Sequence, residues 1–227
     1  FGGLGYNPFN PAMVGYVVLL ISFPLQMSSW TPPRGLAEVP GLLDALQAMF
    51  LPNSYDAVTM ATPLDALRQN KGLLMADLQS QPPFGHLAGL GWETVNLAFA
   101  AGVIWLLYKR IFTWHAPVAM LAAMTLAALI GFDGGSSSSG GSPIVHLLSG
   151  GTMFGAFFII TDPVSSAVSN RGRLVFGALI GLLIYIIRVN GNYPDAVAFA
   201  VLILNFAAPF IDHYTQPTTY GHRGPKA

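Results

Sequence analysis

The sequence predicts an all-α fold: a polytopic bundle of membrane helices carrying one long insertion outside the bilayer. Of 227 residues, 53% are hydrophobic and 9% charged, whereas an ordinary soluble domain carries about 25% charged residues. So few charges cannot cover a water-facing surface. The apolar residues gather in about six stretches, each near the length that crosses a ~30 Å hydrocarbon core at ~1.5 Å per residue. The stretch interiors hold almost no charge. In lipid no water is available to free amides, so a spanning backbone has to be helical.

The stretches run 11–29, 93–110, 116–132, 143–161, 174–189 and 195–212. Asn10 is a suitable N-cap for the first, with Pro11 at the first helical position. Arg188 and Asp212 stand at stretch ends, where they are expected to reach water. Gly150, Gly151, Gly155, Gly177 and Gly181 fall inside stretches; Gly177-x-x-x-Gly181 reads as close helix contact. The segment 30–92 is rich in proline (Pro32, Pro33, Pro40, Pro52, Pro63, Pro82, Pro83) and holds most of the acids. Within it, Val39–Phe50 has a helical apolar rhythm at Leu42, Leu43, Leu46, Met49 and Phe50. Residues 133–142 have the composition of a flexible Gly/Ser linker. The expected organisation is therefore 1–29, a glycine/proline-rich approach and first span; 30–92, an extracytoplasmic segment; 93–213, a five-helix membrane region containing the linker; and 214–227, a cytoplasmic tail.

Lysine and arginine in short loops set the orientation. Lys109 and Arg110 follow the second stretch, Arg171 and Arg173 the fourth, and His222, Arg223 and Lys226 the sixth. These alternate onto one side, which is the cytoplasmic one by this rule, and residues 30–92 fall on the other. Composition also excludes several classes. Without cysteine there are neither disulfides nor thiolate ligands. The five histidines lack ligand spacing, and a net charge of zero gives no basic face for nucleic acid. The chain starts at Phe1 without an initiator methionine or signal peptide, which reads as a fragment.

Two proline-marked polar breaks interrupt the apolar scaffold: Asn7-Pro8-Phe9-Asn10-Pro11-Ala12, and the run from Ser149 through Thr152 to Asp162-Pro163. Such breaks suggest half-helices of inverted repeats around a central site, where irregular backbone is tolerated. Asn7, Asn10, Thr152, Asp162 and Asp195 are the candidates for a cofactor or ion path. Each has a plainer reading: Asn10, Asp162 and Asp195 as caps, and Thr152 bonding back to a helix carbonyl. Asn170-Arg171-Gly172-Arg173 reads as a cytoplasmic anchor, and Asn190–Asp195 as a turn. No residue is assigned a catalytic role or a metal. Thr62 stands apart. Pro63 restrains it toward extended backbone, which is expected to present its hydroxyl outward. Asp56, Thr59 and Ala61 precede it in the pattern Asp-x-x-Thr-x-Ala-Thr.

Residues 2–13, Ala61-Thr62-Pro63-Leu64-Asp65, the run 149–163 and Tyr220-Gly221-His222-Arg223 together resemble the RnfD family of the Rnf electron transport complex. They are similar, more distantly, to NqrB of the sodium-pumping NADH:quinone reductase. The resemblance covers essentially the whole chain in order and implies that an N-terminal portion with further membrane helices is missing. It implies a flavoprotein in which flavin mononucleotide (FMN) is esterified through its phosphate to Thr62. A flavin transferase outside the cytoplasm would make the bond, with Asp56, Thr59 and Ala61 as its recognition pattern. It further implies a component of an ion-translocating ferredoxin:NAD oxidoreductase complex in a bacterial inner membrane, moving Na+ or H+ and partnered by other Rnf subunits and lipid. Related proteins can hold a second, non-covalent flavin. The competing readings are a small-solute channel of urea-transporter-like fold and a purely structural membrane component.

Overall fold

The structure, a computed structural model, describes residues 7–33, 41–51, 59–85, 87–134, 136, 138, 140–193 and 195–217. Asp56, residues 1–6 and the tail from residue 218 lie outside the described residues. The described chain is mostly helical, with three isolated bridges and no strand. The helices are α1 (Pro11–Ser22), α2 (Pro24–Ser28), α3 (Leu42–Phe50), α4 (Pro63–Gln69), α5 (Met75–Gln79), α6 (Trp92–Tyr108), α7 (His115–Gly131), α8 (Pro143–Leu148), α9 (Thr152–Phe154), α10 (Asn170–Asn190) and α11 (Val197–Thr215). A π-helical turn, Gly155–Ile159, continues α9.

Two helices, α10 and α11, are long and apolar enough to cross a membrane, with mean hydropathies of 1.9 and 1.5. Three shorter apolar helices, α1, α6 and α7, accompany them. Every apolar stretch read from the sequence is helical, but 143–161 is not one rod. It divides at Ser149–Gly151 into α8 and the α9–π segment. Bulky apolar side chains such as Ile104, Ile130, Phe206 and Phe210 face outward and exposed, the pattern of a surface that meets lipid or another apolar partner.

The main core packs α7, α10 and α11 around Met120, Met124, Phe176, Ile180, Ile184 and Val201. Gly177 and Gly181 make the α7–α10 contact. A β-carbon at either would run into the backbone carbonyl of Ala116 or Met120, so the Gly-x-x-x-Gly spacing is a packing device. A second cluster packs α4 and α5 onto α8 through Ala66, Leu67, Leu78, Phe84 and Val145. The Gly/Ser run closes on this cluster at its end, where Gly141 is buried beside Met75 and Leu67.

The segment 30–92 thus packs against the C-terminal end of α10, where Lys71 Nζ donates to the Val189 carbonyl at 2.7 Å. At the other end of α10, Arg173 donates to Thr113 and to the Ala167 carbonyl, joining it to the turn that carries Lys109 and Arg110. The basic turns and the Thr62 segment therefore occupy opposite ends of a helix about 31 Å long at 1.5 Å per residue. Asn170-Arg171-Gly172-Arg173 is the first turn of α10, capped by Ser169.

Candidate functional site

Thr62 is the N-cap of α4. Its backbone is extended (φ −71°, ψ 159°), as Pro63 demands, and its hydroxyl accepts from the Asp65 amide at 3.2 Å. The same hydroxyl donates to Asp65 Oδ2 at 3.3 Å. Thr62 is therefore buried, not turned outward as its sequence context suggests; the cap geometry draws the hydroxyl in. Burial raises the Asp65 carboxyl above its ordinary value of 3.8, while Arg68 and the Thr62 hydroxyl pull more weakly the other way. A bridge from Met60 to Trp30 ties this segment to the end of α2, and Trp30 meets Trp92 edge-on at 5.2 Å.

Thr62 lines a cavity of about 250 Å³ whose walls include Tyr16, Trp30, Trp92, Phe154, Gly150, Gly151 and Asp195. On the other face of the same segment lies a more polar cleft of about 370 Å³, lined by Thr59, Ala61, Asp65, Arg68 and Tyr193. The residues around Thr62 thus divide: Thr59 and Ala61 are exposed along the polar cleft, while Thr62 borders the aromatic one.

The α8–α9 break forms the far wall. Arg188 donates to the His146 carbonyl (2.7 Å), Thr152 Oγ1 (2.9 Å) and Asp195 Oδ1 (3.0 Å). Asp195 Oδ2 accepts from the Gly151 amide at 2.7 Å. From the opposite side Asn96 donates to the Leu148 and Gly150 carbonyls and accepts from the Met153 amide. The side chains take up backbone groups that a continuous helix would have paired. Gly150 has φ +61°, and a β-carbon there would crowd Leu64, Asp195 and Arg188. Ser149 Oγ and Arg188 Nε are buried with no hydrogen-bond partner.

Thr152 does bond to carbonyls, those of His146 and Ser149. Arg188, expected to reach water, instead turns inward with its side chain 1% exposed; the orphaned carbonyls at the break hold it there. Asp212 likewise turns onto the Val168 amide. Asp195 is only a marginal cap, 3.4 Å from the Val197 amide, and its closer partners are Gly151 and Arg188.

The other candidates gather elsewhere. Asn10 caps α1 by accepting from the Ala12 and Met13 amides. Its own amide donates to the Asn205 side-chain oxygen at 2.9 Å, while the Asn205 side-chain nitrogen donates to the Ser165 carbonyl at 3.1 Å. Asp162 holds the same turn through Ser165 and Val164. Asn10 and Asp162 therefore meet through Asn205, in a knot separate from the Thr62 cavity; Asn7 is half-buried just before it. Asn96, Asn205 and the aromatic pair escape the sequence reading. The two asparagines carry a usable signal, a lone amide deep inside an apolar helix.

A sequence model of the NQR2, RnfD, RnfE family matches residues 1–221. The chain belongs to this family. Its relatives there include the RnfD-type component of the ion-translocating oxidoreductase complex of Cellvibrio japonicus (strain Ueda107), 56% identical over 233 residues, covering 100% of the chain and 65% of the relative. The corresponding protein of Ectopseudomonas mendocina (strain ymp) is 58% identical over 228 residues, covering 100% and 66%. That of Escherichia coli O139:H28 (strain E24377A / ETEC) is 50% identical over 239 residues, covering 98% and 68%. The chain thus spans 65–66% of the length of the first two relatives. The family resemblance read from residues 2–13, 61–65, 149–163 and 220–223 is confirmed over nearly the whole chain.

Proposed function

We propose that this family member is the membrane redox component of an ion-translocating oxidoreductase complex, carrying FMN esterified through its phosphate to Thr62. The observation that supports this reading is the position of Thr62 on the rim of an aromatic-walled cavity, at the end of the molecule away from the basic turns. The cavity suits the group. About 250 Å³ is somewhat below the ~300 Å³ at which sites for whole drug-sized ligands begin, so it admits a ring system while the tether stays at the rim. Trp30 and Trp92 offer aromatic faces, and Gly150 and Gly151 leave the wall without side chains. FMN supplies one- and two-electron redox chemistry.

The protein's own residues hold and insulate. Thr62 anchors the tether at the start of α4, and α4 is itself held by the buried cluster of Ala66 and Leu67. An esterified Oγ1 has no proton to give Asp65. The Asp65 carboxyl, which burial makes readier to keep its own proton, can then serve as the donor. In this reading the Thr62 segment faces the periplasm of an inner membrane, the polar cleft with Thr59 and Ala61 receives the flavin transferase, and other subunits of the complex pass electrons between ferredoxin and NAD while Na+ or H+ moves.

The test is mass spectrometry of the Thr62 peptide from the full-length chain in its native host. An increment of FMN minus water is expected. Thr62→Asn keeps a good N-cap but has no hydroxyl, so it loses both the increment and in-gel flavin fluorescence. A bare Thr62 peptide in native material rejects the reading.

A further inference from the structure

We infer that the Arg188–Asp195 pair sets the reduction potential of the ring in the Thr62 cavity, with Asp195 presenting the negative end of the pair to it. This rests on the FMN reading above. Asp195 is the one charged residue among the described residues that line the cavity. Its side chain is 27% exposed, whereas that of Arg188 is 1% exposed and does not line the cavity. Both carboxylate oxygens are held, Oδ1 by Arg188 at 3.0 Å and Oδ2 by the Gly151 amide at 2.7 Å. The carboxylate therefore cannot rotate away from a negative charge that develops beside it. The remaining walls are largely apolar, so the field of the pair is weakly screened.

Reduction by one electron, drawn from a neighbouring carrier that is oxidised in the same step, adds one negative charge to the cavity. The near carboxylate opposes that charge, and the guanidinium behind it cancels part of the opposition. Removing each end of the pair must therefore move the potential in opposite directions. Arg188→Gln leaves the carboxylate unopposed and gives the most negative value. The native pair comes next. The double variant Arg188→Gln/Asp195→Asn, which presents no charge, lies above it. Asp195→Asn, leaving only the guanidinium, is the most positive.

The experiment is a spectroelectrochemical titration of the Thr62-linked flavin in the assembled complex, with FMN loading of the Thr62 peptide verified by mass in every variant. The two single variants are expected to differ by at least tenfold in the ratio of reduced to oxidised ring at a given potential, about 59 mV for a one-electron couple. A single variant leaves a buried charge unpaired, which destabilises the fold. The double variant leaves none, so it decides the matter if the singles do not assemble. A loaded double variant that titrates at the native potential overturns the inference, as do loaded single variants that shift in the same direction. A purely structural pair predicts one of those two results. A native complex whose Thr62 peptide is empty instead overturns the FMN reading, and this inference with it.

Discussion

Arg188 and Asp195 meet at 3.0 Å across the turn joining α10 to α11, and through them the end of one long helix is fastened to the break between α8 and α9. The arginine supplies donors to a carbonyl, a hydroxyl and a carboxylate at once. Truncating it strands the carboxylate and the carbonyls together. Arg188→Ala is expected to cost about 3–5 kcal/mol, the usual penalty for breaking a buried pair from one side. Reversible denaturation in detergent, compared with the wild-type chain, measures it.

Asn96 fastens the same break from α6. It is 1% exposed and bridges two carbonyls and one amide. Asn96→Leu removes all three contacts and leaves the backbone groups without those partners, at about 1–3 kcal/mol for each group left unsatisfied. Hydrogen exchange at residues 148–153 should accelerate, while exchange in the middle of α10 stays slow. Equal acceleration of both would mean that Asn96 supports the whole bundle rather than the break.

Gly177 and Gly181 let α10 lie against the backbone of α7. Gly181→Val forces the helices apart and should destabilise the bundle by about 1–3 kcal/mol. The same change at Gly102, where a β-carbon meets nothing within 4 Å, should be nearly neutral. The pair of unfolding curves checks the contrast.

Asp65 gives a pH signature. Its carboxyl is raised in the folded chain by burial, so between 3.8 and the raised value the folded state binds more protons than the unfolded state. The contribution of Asp65 to stability is therefore full below that window, falls as pH rises through it, and is flat above. Asp65→Asn lacks the titration. The stability of the wild-type chain relative to the variant should decline with rising pH across the window. A difference that is independent of pH, or that grows with it, contradicts the assignment.

The cap at Thr62 has its own stability cost, separate from any cofactor. Thr62→Ala should lose about 1 kcal/mol and Thr62→Asn considerably less, because only the alanine leaves the first turn of α4 without its side-chain acceptor. Thermal unfolding of unloaded material reads this difference.

Much of the scaffold is legible in the sequence because its signals are local. Pro11 after Asn10, and Pro63 after Thr62, mark helix starts that the structure contains, and the amphipathic run ending at Phe50 is α3. The pairing of Gly177 with Gly181 needs only their spacing. Asp56, part of the pattern around Thr62, lies outside the described residues. The site is less legible. Arg188 at the edge of an apolar stretch looks like a side chain bound for water, since nothing nearby in sequence announces the carbonyls of His146 and Ser149, about forty residues earlier, that hold it. Thr62 looks outward in the sequence for a similar reason: Pro63 constrains its backbone, but the inward turn of its hydroxyl depends on the cap contact with Asp65 and on the packing of α4.

By itself the amino-acid order determined a helical chain with an apolar exterior, its turns, its caps and its family. Periodicity, proline and glycine act within a few residues, and those effects survive in any surroundings. Only the tertiary structure decided which polar groups meet. It brought Thr62, Tyr16, Trp92 and Asp195 around one cavity and sent Asn10 and Asp162 to a different knot. The physical reason is that a broken helix in an apolar bundle exposes backbone groups that must be paired. The side chains that pair them come from whichever helices packing places alongside.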